Sequence, residues 1–274
     1  MAKLSDINCE FLTLEILNKL DAIAVKTISD FFSCSPLTLK QSAGLDCEQQ
    51  VKLRSYLIQK SFEKLDIIEE ANLDTDLFGS ILGGHIYEVY GRPGAGKTQL
   101  CHYFATKFAN ESGKVLYMDT KNDFSLTRLK DFGACNVESV LLCKAFDLHQ
   151  AIKVTDEVLK TKPNFKVNLF ILDNITSLVM PLLEDEAISD TFALIGDLIG
   201  RLRKMSRLLN CPIFIVNNGT TKPALGKLFQ SAADIQFFIK QDGDKKFLCV
   251  QKSPYETFSP LSFKISKTSI SVEQ

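Results

Sequence analysis

Apolar residues in the first 65 positions recur every three or four residues, a spacing that predicts amphipathic helices. Short patterns of this kind cover Leu12 to Leu20, Val25 to Phe32 and Pro36 to Ala43. Asp46 has the side chain of a good N-cap, and the apolar pattern that follows it runs toward Leu65. These patterns predict a small all-α domain over residues 1–65, followed by a linker over residues 66–80.

From residue 81 the pattern changes to short apolar runs that alternate with stretches of helical period. Strands are predicted at His85–Tyr90, Lys114–Met118, Ser139–Cys143, Val167–Asp173 and Pro212–Asn217. Helices are predicted between them at Lys97–Glu111, Ser125–Phe132, Leu148–Thr161 and Ser189–Leu209. Three strands without intervening helices follow at Ile235–Lys240, Lys245–Gln251 and Leu261–Ile265. Residues 81–274 therefore predict an α/β domain with a mainly parallel, doubly wound sheet.

The overall composition is that of a soluble globular protein, with 45% hydrophobic and 24% charged residues. A formal net charge of −1 provides no general attraction to nucleic acid, so any DNA binding must come from local patches or from partners. The eight cysteines form no CxxC pair and the three histidines supply no zinc-ligand spacing, which favours reduced thiols in an intracellular protein. Because no stretch approaches 18 uninterrupted apolar residues, no membrane partner is expected.

The strongest chemical signal is a phosphate-binding loop. Its residues fit the pattern GxxxxGK followed by Ser or Thr, and they are Gly91, Arg92, Pro93, Gly94, Ala95, Gly96, Lys97 and Thr98. A predicted strand precedes the segment and a predicted helix follows it, which is the context that this motif requires. Glycines let successive backbone N–H groups face the β-phosphate, Lys97 reaches the β- and γ-oxygens, and Thr98 gives its hydroxyl to Mg²⁺. The segment therefore predicts binding of ATP with Mg²⁺.

A second metal ligand is expected at the end of a buried strand. Asp173 ends the predicted strand Val167–Asp173 and is the candidate Walker B carboxylate. A helix cap is the alternative role of an Asp in such a position. A catalytic base would belong at the end of the strand beside the phosphate-binding loop, where the chain has Val115 to Lys121, and no catalytic residue is assigned there.

Three segments in this order resemble the RecA-family recombinases of eukaryotes, namely Gly91–Cys101, Val115–Thr120 and Leu169–Asp173. Their spacing matches that family across nearly the whole ATPase region, and the helical N-terminal domain is also similar to it. The segment Lys222–Gly226, followed by a strand, most resembles the D-type recombinase paralog. The resemblance implies a RecA-like P-loop ATPase core preceded by the small all-α domain.

The same resemblance implies a nuclear protein that acts as a subunit of a heteromeric complex of sister recombinase paralogs. Such a complex supports homologous recombination and DNA double-strand break repair by assisting the main recombinase on single-stranded DNA. In this interpretation ATP stabilises the contacts between subunits.

Departures from the family separate this chain from an active recombinase. Active recombinases carry a Glu that polarises the attacking water where this chain has Lys121, and a cation cannot act as that base. The family's second DNA-binding loop is short here, about Gly219–Leu228, and the region of the first loop, Pro181–Asp190, carries the acidic run Glu184 to Glu186. Because acidic side chains repel phosphate, the sequence predicts a non-polymerising paralog that contacts single-stranded DNA weakly or through the complex.

Two questions stay open at the level of sequence. The basic cluster of Arg201, Arg203, Lys204 and Arg207 is either a solvated surface or subunit contact, or a patch for DNA phosphates. The alternative function is a competent single-stranded-DNA-dependent ATPase whose base is another acidic residue. A P-loop small-molecule kinase is less favoured, because the strand-rich tail and the helical N-terminal domain match the recombinase layout.

Overall fold

The computed structural model describes residues 3–7, 9, 12–46, 48–50, 52–54, 56–57, 73–75, 79–183, 188–224, 226, 231–255 and 259–273. The chain divides into two compact units, Met1–Ile68 and Glu69–Gln274. Within the described residues, no helix is long and apolar enough to cross a bilayer. The seven cysteines in these ranges are free thiols.

The described part of the first unit is mainly helical. After a 3₁₀ turn at Leu4–Asp6, its helices are α1 (Leu14–Ala22), α2 (Ile28–Ser33) and α3 (Pro36–Ala43). Each helix begins after a Thr or Ser whose hydroxyl accepts a backbone N–H of the first turn. The apolar faces of these helices meet in a small core that contains Leu4, Leu20, Phe31, Leu39, Leu45, Leu53 and Leu57.

The predicted N-cap at Asp46 is confirmed. Asp46 Oδ1 accepts the N–H of Gln49 at 2.7 Å, and Gln49 Oε1 accepts the N–H of Asp46 at 3.0 Å. Residues 48–50, 52–54 and 56–57 are helical. The remainder of the predicted helix toward Leu65 lies outside the described residues.

The second unit contains two short antiparallel strands, β1 (Leu73–Thr75) and β2 (Gly79–Ile81), which the sequence patterns did not predict. Both overlap the predicted linker of residues 66–80. A strand of three residues is too short to show an alternation of apolar and polar positions, so periodicity gives no signal for it.

A nine-stranded sheet forms the centre of the second unit. Its strands are β3 (Ile86–Gly91), β4 (Lys114–Asp119), β5 (Val140–Lys144), β6 (Val167–Asp173), β7 (Ile213–Asn218), β8 (Ile235–Asp242), β9 (Lys245–Lys252), β10 (Leu261–Ile265) and β11 (Ile270–Val272). They lie in the order β11-β10-β9-β8-β3-β7-β6-β4-β5. The strands from β8 to β5 in this order run parallel, whereas β9, β10 and β11 are added antiparallel.

Helices cover both faces of this sheet. They are α4 (Lys97–Ala109), α5 (Leu126–Asp131), α6 (Leu148–Thr161), α7 (Ile175–Leu183) and α8 (Ile188–Leu209), with a 3₁₀ turn at Val137–Ser139. Helices α4 and α5 pack on one face, and α6, α7 and α8 pack on the other. Because both faces are covered, β3 and β6 are buried along their whole length.

The predicted α/β, RecA-like fold with a mainly parallel sheet is confirmed. Helix α7 and strand β11 were not predicted, since α7 is apolar on nearly all sides and contains Pro181, and β11 has only three residues. The carboxyl ends of the parallel strands β3, β4, β6 and β7 meet at one edge of the sheet, which is where open α/β sheets bind ligands.

Candidate nucleotide-binding site

The phosphate-binding loop lies between β3 and α4 at this carboxyl edge. Gly94 and Gly96 have φ angles of +78° and +107°, in the left-handed region that favours glycine. Gly96 is the N-cap residue of α4, so the first N–H groups of the helix face the loop. Free N–H groups and the positive end of the helix dipole bind anions, and the loop can therefore hold a phosphate.

The Lys97 side chain folds back across the loop. Its Nζ donates hydrogen bonds to the carbonyl oxygens of Gly91 at 2.8 Å and Arg92 at 2.9 Å. Burial lowers the pKa of the Lys97 ammonium group to about 8, although the nearby Asp173 carboxylate opposes this shift. A neighbouring phosphate would favour the charged form of Lys97, since an opposite charge stabilises a buried ammonium group.

Asp173 ends β6, and its carboxylate lies against the first turn of α4. It accepts hydrogen bonds from the side chain of Thr98 and from the hydroxyl of Tyr117, the latter at 2.9 Å. Burial raises the pKa of Asp173 above its ordinary value, and the two hydrogen bonds oppose that shift. The structure thus brings the two predicted metal-binding residues, Thr98 and Asp173, into contact.

This pair of donors fits Mg²⁺. A hydroxyl and a carboxylate are the hard oxygen ligands that Mg²⁺ prefers, and the ion usually takes its remaining ligands from water and substrate phosphates. Nowhere in the described part of the chain do three or more His, Cys, Asp or Glu side chains form a group that could hold a metal by themselves. A divalent ion at Thr98 and Asp173 would therefore depend on a bound phosphate.

A buried histidine connects the loop helix to the segment after β4. His102 Nδ1 lies 2.7 Å from the carbonyl oxygen of Thr98, and its Nε2 lies 2.9 Å from the N–H of Ser125. Because a carbonyl can only accept, Nδ1 carries the proton and Nε2 accepts. Burial lowers the pKa of His102, which keeps the ring in this neutral form.

The turn after β4 decides where Lys121 lies. The Asp119 carboxylate accepts three backbone N–H groups, from Lys121 at 3.0 Å, Asp123 at 3.2 Å and Phe124 at 3.1 Å. These bonds occupy both carboxylate oxygens and hold Asp119 as a structural part of the turn. The Lys121 side chain is exposed beyond it, and its positive charge acts on both Lys97 and Asp173.

A buried polar network beside the site was missed by the sequence analysis. The Glu88 carboxylate, on β3, accepts a hydrogen bond from the Asn217 amide at 2.7 Å and from the Gln236 amide at 2.6 Å. The Thr176 hydroxyl donates to Asn217 at 2.8 Å. Burial raises the pKa of Glu88, and the two amides oppose that shift. A charged residue inside an apolar strand was the available signal, because such a group needs buried partners.

The basic cluster is partly neutralised within the chain. Arg201 forms ion pairs with Asp156 at 2.7 Å and Asp197 at 3.0 Å, and Arg203 pairs with Asp234 at 3.0 Å. The other two members of the cluster, Lys204 and Arg207, are exposed. These pairs favour the surface interpretation for two of the four side chains.

The two predicted DNA-contacting loops are described only in part. In the region expected to correspond to the first loop, Pro181–Asp190, α7 extends to Leu183 and α8 begins at Ile188. The acidic run Glu184 to Glu186 lies outside the described residues. In the second loop, the Gly219 N–H donates to the Gly91 carbonyl oxygen at 3.2 Å. This hydrogen bond joins the start of the second loop to Gly91, which ends β3 and is the first residue of the phosphate-binding loop.

The sheet order, the two helical layers and the loop at the end of β3 define the chain as a protein of the RecA-like P-loop class. Residues 67–272 match the Rad51 family, and the chain belongs to that family. The expected membership among the RecA-family recombinases and their paralogs is thereby confirmed.

Curated relatives include archaeal and vertebrate proteins. The DNA repair and recombination protein RadB of Methanocaldococcus jannaschii is 33% identical over 52% of this chain and 68% of its own length. DNA repair protein RAD51 homolog 4 is 24% identical in Bos taurus and 23% identical in Mus musculus. Each of these two matches covers 90% of this chain and 89% of the relative, so both reach into the helical N-terminal unit.

Proposed function

We propose that this chain is an ATP-binding recombinase paralog that acts as a nuclear subunit of a heteromeric complex in homologous recombination and DNA double-strand break repair. The observation that carries the proposal is a complete phosphate-binding loop, from Gly91 to Thr98, in a chain that belongs to the Rad51 family. The relatives named above are DNA repair proteins, and two of them match this chain along nearly their whole length.

Nucleotide binding is proposed to depend on backbone N–H groups and on four side chains. The N–H groups at the start of α4 receive phosphate oxygens, and Lys97 neutralises their charge. Thr98 and Asp173 would hold Mg²⁺, which screens the charge of the β- and γ-phosphates when it is bound. Tyr117 orients the Asp173 carboxylate through its hydrogen bond.

Hydrolysis needs one more function, the orientation of a water molecule and acceptance of its proton. By the resemblance to active recombinases, Lys121, two residues after the end of β4, stands where that base would be. The Asp119 carboxylate is not available as the base, because it accepts three backbone N–H groups. These observations support slow turnover, with ATP acting mainly as a stabiliser of subunit contacts.

Contact with single-stranded DNA is proposed to be weak in the isolated chain. The net charge is −1, and two arginines of the basic cluster already bind carboxylates of the same chain. Sister paralogs would supply the remaining basic surface within the complex.

Purification of the tagged chain from cells, with mass spectrometry of co-purifying proteins, tests the complex directly. We expect recombinase paralogs to be recovered, and recovery of none would contradict the heteromeric role. The purified chain is then titrated with fluorescent single-stranded DNA at about 0.15 M salt.

Weak binding that sister subunits increase supports the proposal. Tight binding that the double substitution Lys204→Ala, Arg207→Ala abolishes would instead establish a phosphate patch on α8. Brisk ATP turnover that single-stranded DNA stimulates would replace the proposal with the ATPase alternative.

A further inference from the structure

The C-terminal β-hairpin contacts the phosphate-binding loop. Strands β10 and β11 pair antiparallel, with Ile265 opposite Ile270 next to the connecting turn. A Cβ atom placed on Gly96 would lie only 2.5 Å from Cδ1 of Ile265. The Ile265 side chain therefore fills the space beside Gly96, the residue at which α4 begins, and the hairpin forms a wall of the loop.

One arginine joins the turn of this hairpin to two helices. Arg128, on α5, donates from Nη2 to the carbonyl oxygen of Ser266 at 2.7 Å and from Nη1 to the carbonyl oxygen of Lys267. Its Nε donates to Oε1 of Gln99 on α4. The guanidinium fork is thus shared between the hairpin turn and the helix that carries Lys97 and Thr98.

The surroundings of Arg128 hold it in this position. The guanidinium carbon lies 4.0 Å from the centre of the Phe132 ring, and one Nη lies 3.9 Å from the Asp131 carboxylate. Only 16% of the Arg128 side chain is exposed. Because packing and hydrogen bonds already hold the Arg128 side chain, little conformational entropy is lost when it binds the hairpin turn. The contact between Arg128 and the turn is therefore preformed.

These contacts form a closed circuit. It runs from Gly96 to Ile265, through the turn at Ser266 to Arg128, and from Gln99 back along α4 to Gly96. Gln99 directly follows Thr98, so Arg128 links the hairpin turn to the first turn of α4, and a movement of either turn would act on the other. Phe263 and Ile270 are buried in the sheet core, which restricts such movement to the turn itself.

We propose that Arg128 is a positioning residue that holds the C-terminal hairpin against the phosphate-binding loop, so that hairpin docking and nucleotide binding stabilise each other. This inference rests on the proposed nucleotide-binding function. By thermodynamic linkage, a docked hairpin raises nucleotide affinity by the same factor by which bound nucleotide favours docking.

The test uses the full-length chain and five single substitutions. Arg128→Ala removes all three hydrogen bonds, Arg128→Lys keeps the charge without the fork, and Ile265→Ala removes the contact with Gly96. Lys130→Ala and Lys264→Ala are matched controls, because they remove exposed cations from α5 and β10 without touching the circuit. Mg²⁺ with ADP, and with a non-hydrolysable ATP analogue, serves as the probe.

Two readouts separate a positioning role from ordinary packing. The first is nucleotide affinity, and we expect Arg128→Ala and Ile265→Ala to weaken it about tenfold and the controls to leave it unchanged. The second is amide hydrogen exchange of residues 261–273, which nucleotide should slow in the wild type but not in Arg128→Ala. In both readouts Arg128→Lys should fall between the wild type and Arg128→Ala, since the lysine ammonium group retains a donor.

The proposal would be overturned if Arg128→Ala showed faster amide exchange in the hairpin but bound nucleotide with wild-type affinity. The arginine would then only stabilise the fold. If Arg128→Ala does not fold, the same two measurements on Ile265→Ala and Arg128→Lys decide the question. Failure of the wild-type chain to bind nucleotide would overturn the proposed function, and this inference with it. If the wild-type chain binds nucleotide normally but nucleotide does not slow amide exchange of residues 261–273, this inference alone is overturned.

Discussion

The hydroxyl of Tyr117 donates a 2.9 Å hydrogen bond to Oδ2 of Asp173. The two residues lie on neighbouring parallel strands, and both face helix α4. Because Asp173 also accepts a hydrogen bond from Thr98, the two hydroxyls together restrict rotation of the carboxylate beside the first turn of α4. We therefore expect Tyr117 to affect Mg²⁺ binding at the proposed site, although its hydroxyl contacts Asp173 and is not a proposed metal ligand.

Tyr117→Phe should weaken Mg²⁺-dependent nucleotide binding about tenfold, the usual effect of removing a group that orients a metal ligand. Nucleotide affinity is measured with Mg²⁺ and with EDTA. Tyr103→Phe is the matched control, since Tyr103, a residue of α4, packs against Phe104 and Phe132. Equal affinity of Tyr117→Phe and the wild type in Mg²⁺ would contradict the orienting role.

Lys97→Ala should weaken ATP binding at least about tenfold, because hydrogen bonds to charged groups contribute on the order of 1.5 to 3 kcal/mol. The fold should remain intact, as shown by an unchanged circular dichroism spectrum. Lys107→Ala, an exposed lysine on the same helix, should bind ATP normally. Retention of full affinity by Lys97→Ala in a direct titration would show that the loop assignment is wrong.

Lys121→Glu should raise ATP hydrolysis. A positioned base contributes about 10² to 10⁴ to the rate, and the gain here should be smaller because the surroundings of Lys121 were not selected for a carboxylate. Lys121→Met is the control, since it removes the cation without adding a base. A wild-type chain that already turns over briskly, together with a Lys121→Glu rate that is unchanged, would place the base elsewhere.

A truncated chain that begins at Ala71 should keep its affinity for ATP, because the residues proposed to bind nucleotide all belong to the second compact unit. The same truncation should reduce recovery of partner subunits. The measurements are a nucleotide titration and co-purification with the full-length chain as reference. A well-folded truncated chain without ATP affinity would show that the two units act as one.

Glu88→Gln tests the pH dependence of stability. The pKa of Glu88 is raised in the folded chain, so the stability gained from its neutral form is fully present below the unfolded pKa and is lost as pH rises through the folded pKa. The Gln variant lacks this titration, and its NH₂ group faces the amide donor of Asn217 or Gln236. We expect it to be less stable than the wild type by about 1 to 3 kcal/mol at pH 5, with a smaller difference at pH 8.

Urea unfolding at several pH values measures this difference. Glu138→Gln, at an exposed position, controls for the change in net charge. If the wild type exceeds Glu88→Gln in free energy of unfolding by more at pH 8 than at pH 5, the raised pKa of Glu88 is contradicted.

Most of the sheet was predictable because its strands are long enough to carry a pattern. Val167–Asp173 and Leu261–Ile265 agree with their predicted bounds at both ends. Helix α7 escaped prediction because it is short and mostly apolar and contains Pro181, a residue that disfavours the interior of a helix. The short strands β1, β2 and β11 gave no periodic signal.

The sequence by itself determined the phosphate-binding loop, because Gly91 to Thr98 are consecutive and a local pattern specifies them completely. It also determined Asp173 as a metal candidate from its place at the end of a strand. Only the tertiary structure decided the partners of these residues, since Tyr117 meets Asp173 across 56 positions and Arg128 meets Ser266 across 138. Such pairs depend on how distant strands, helices and turns are arranged in the fold, and local periodicity carries no information about that arrangement.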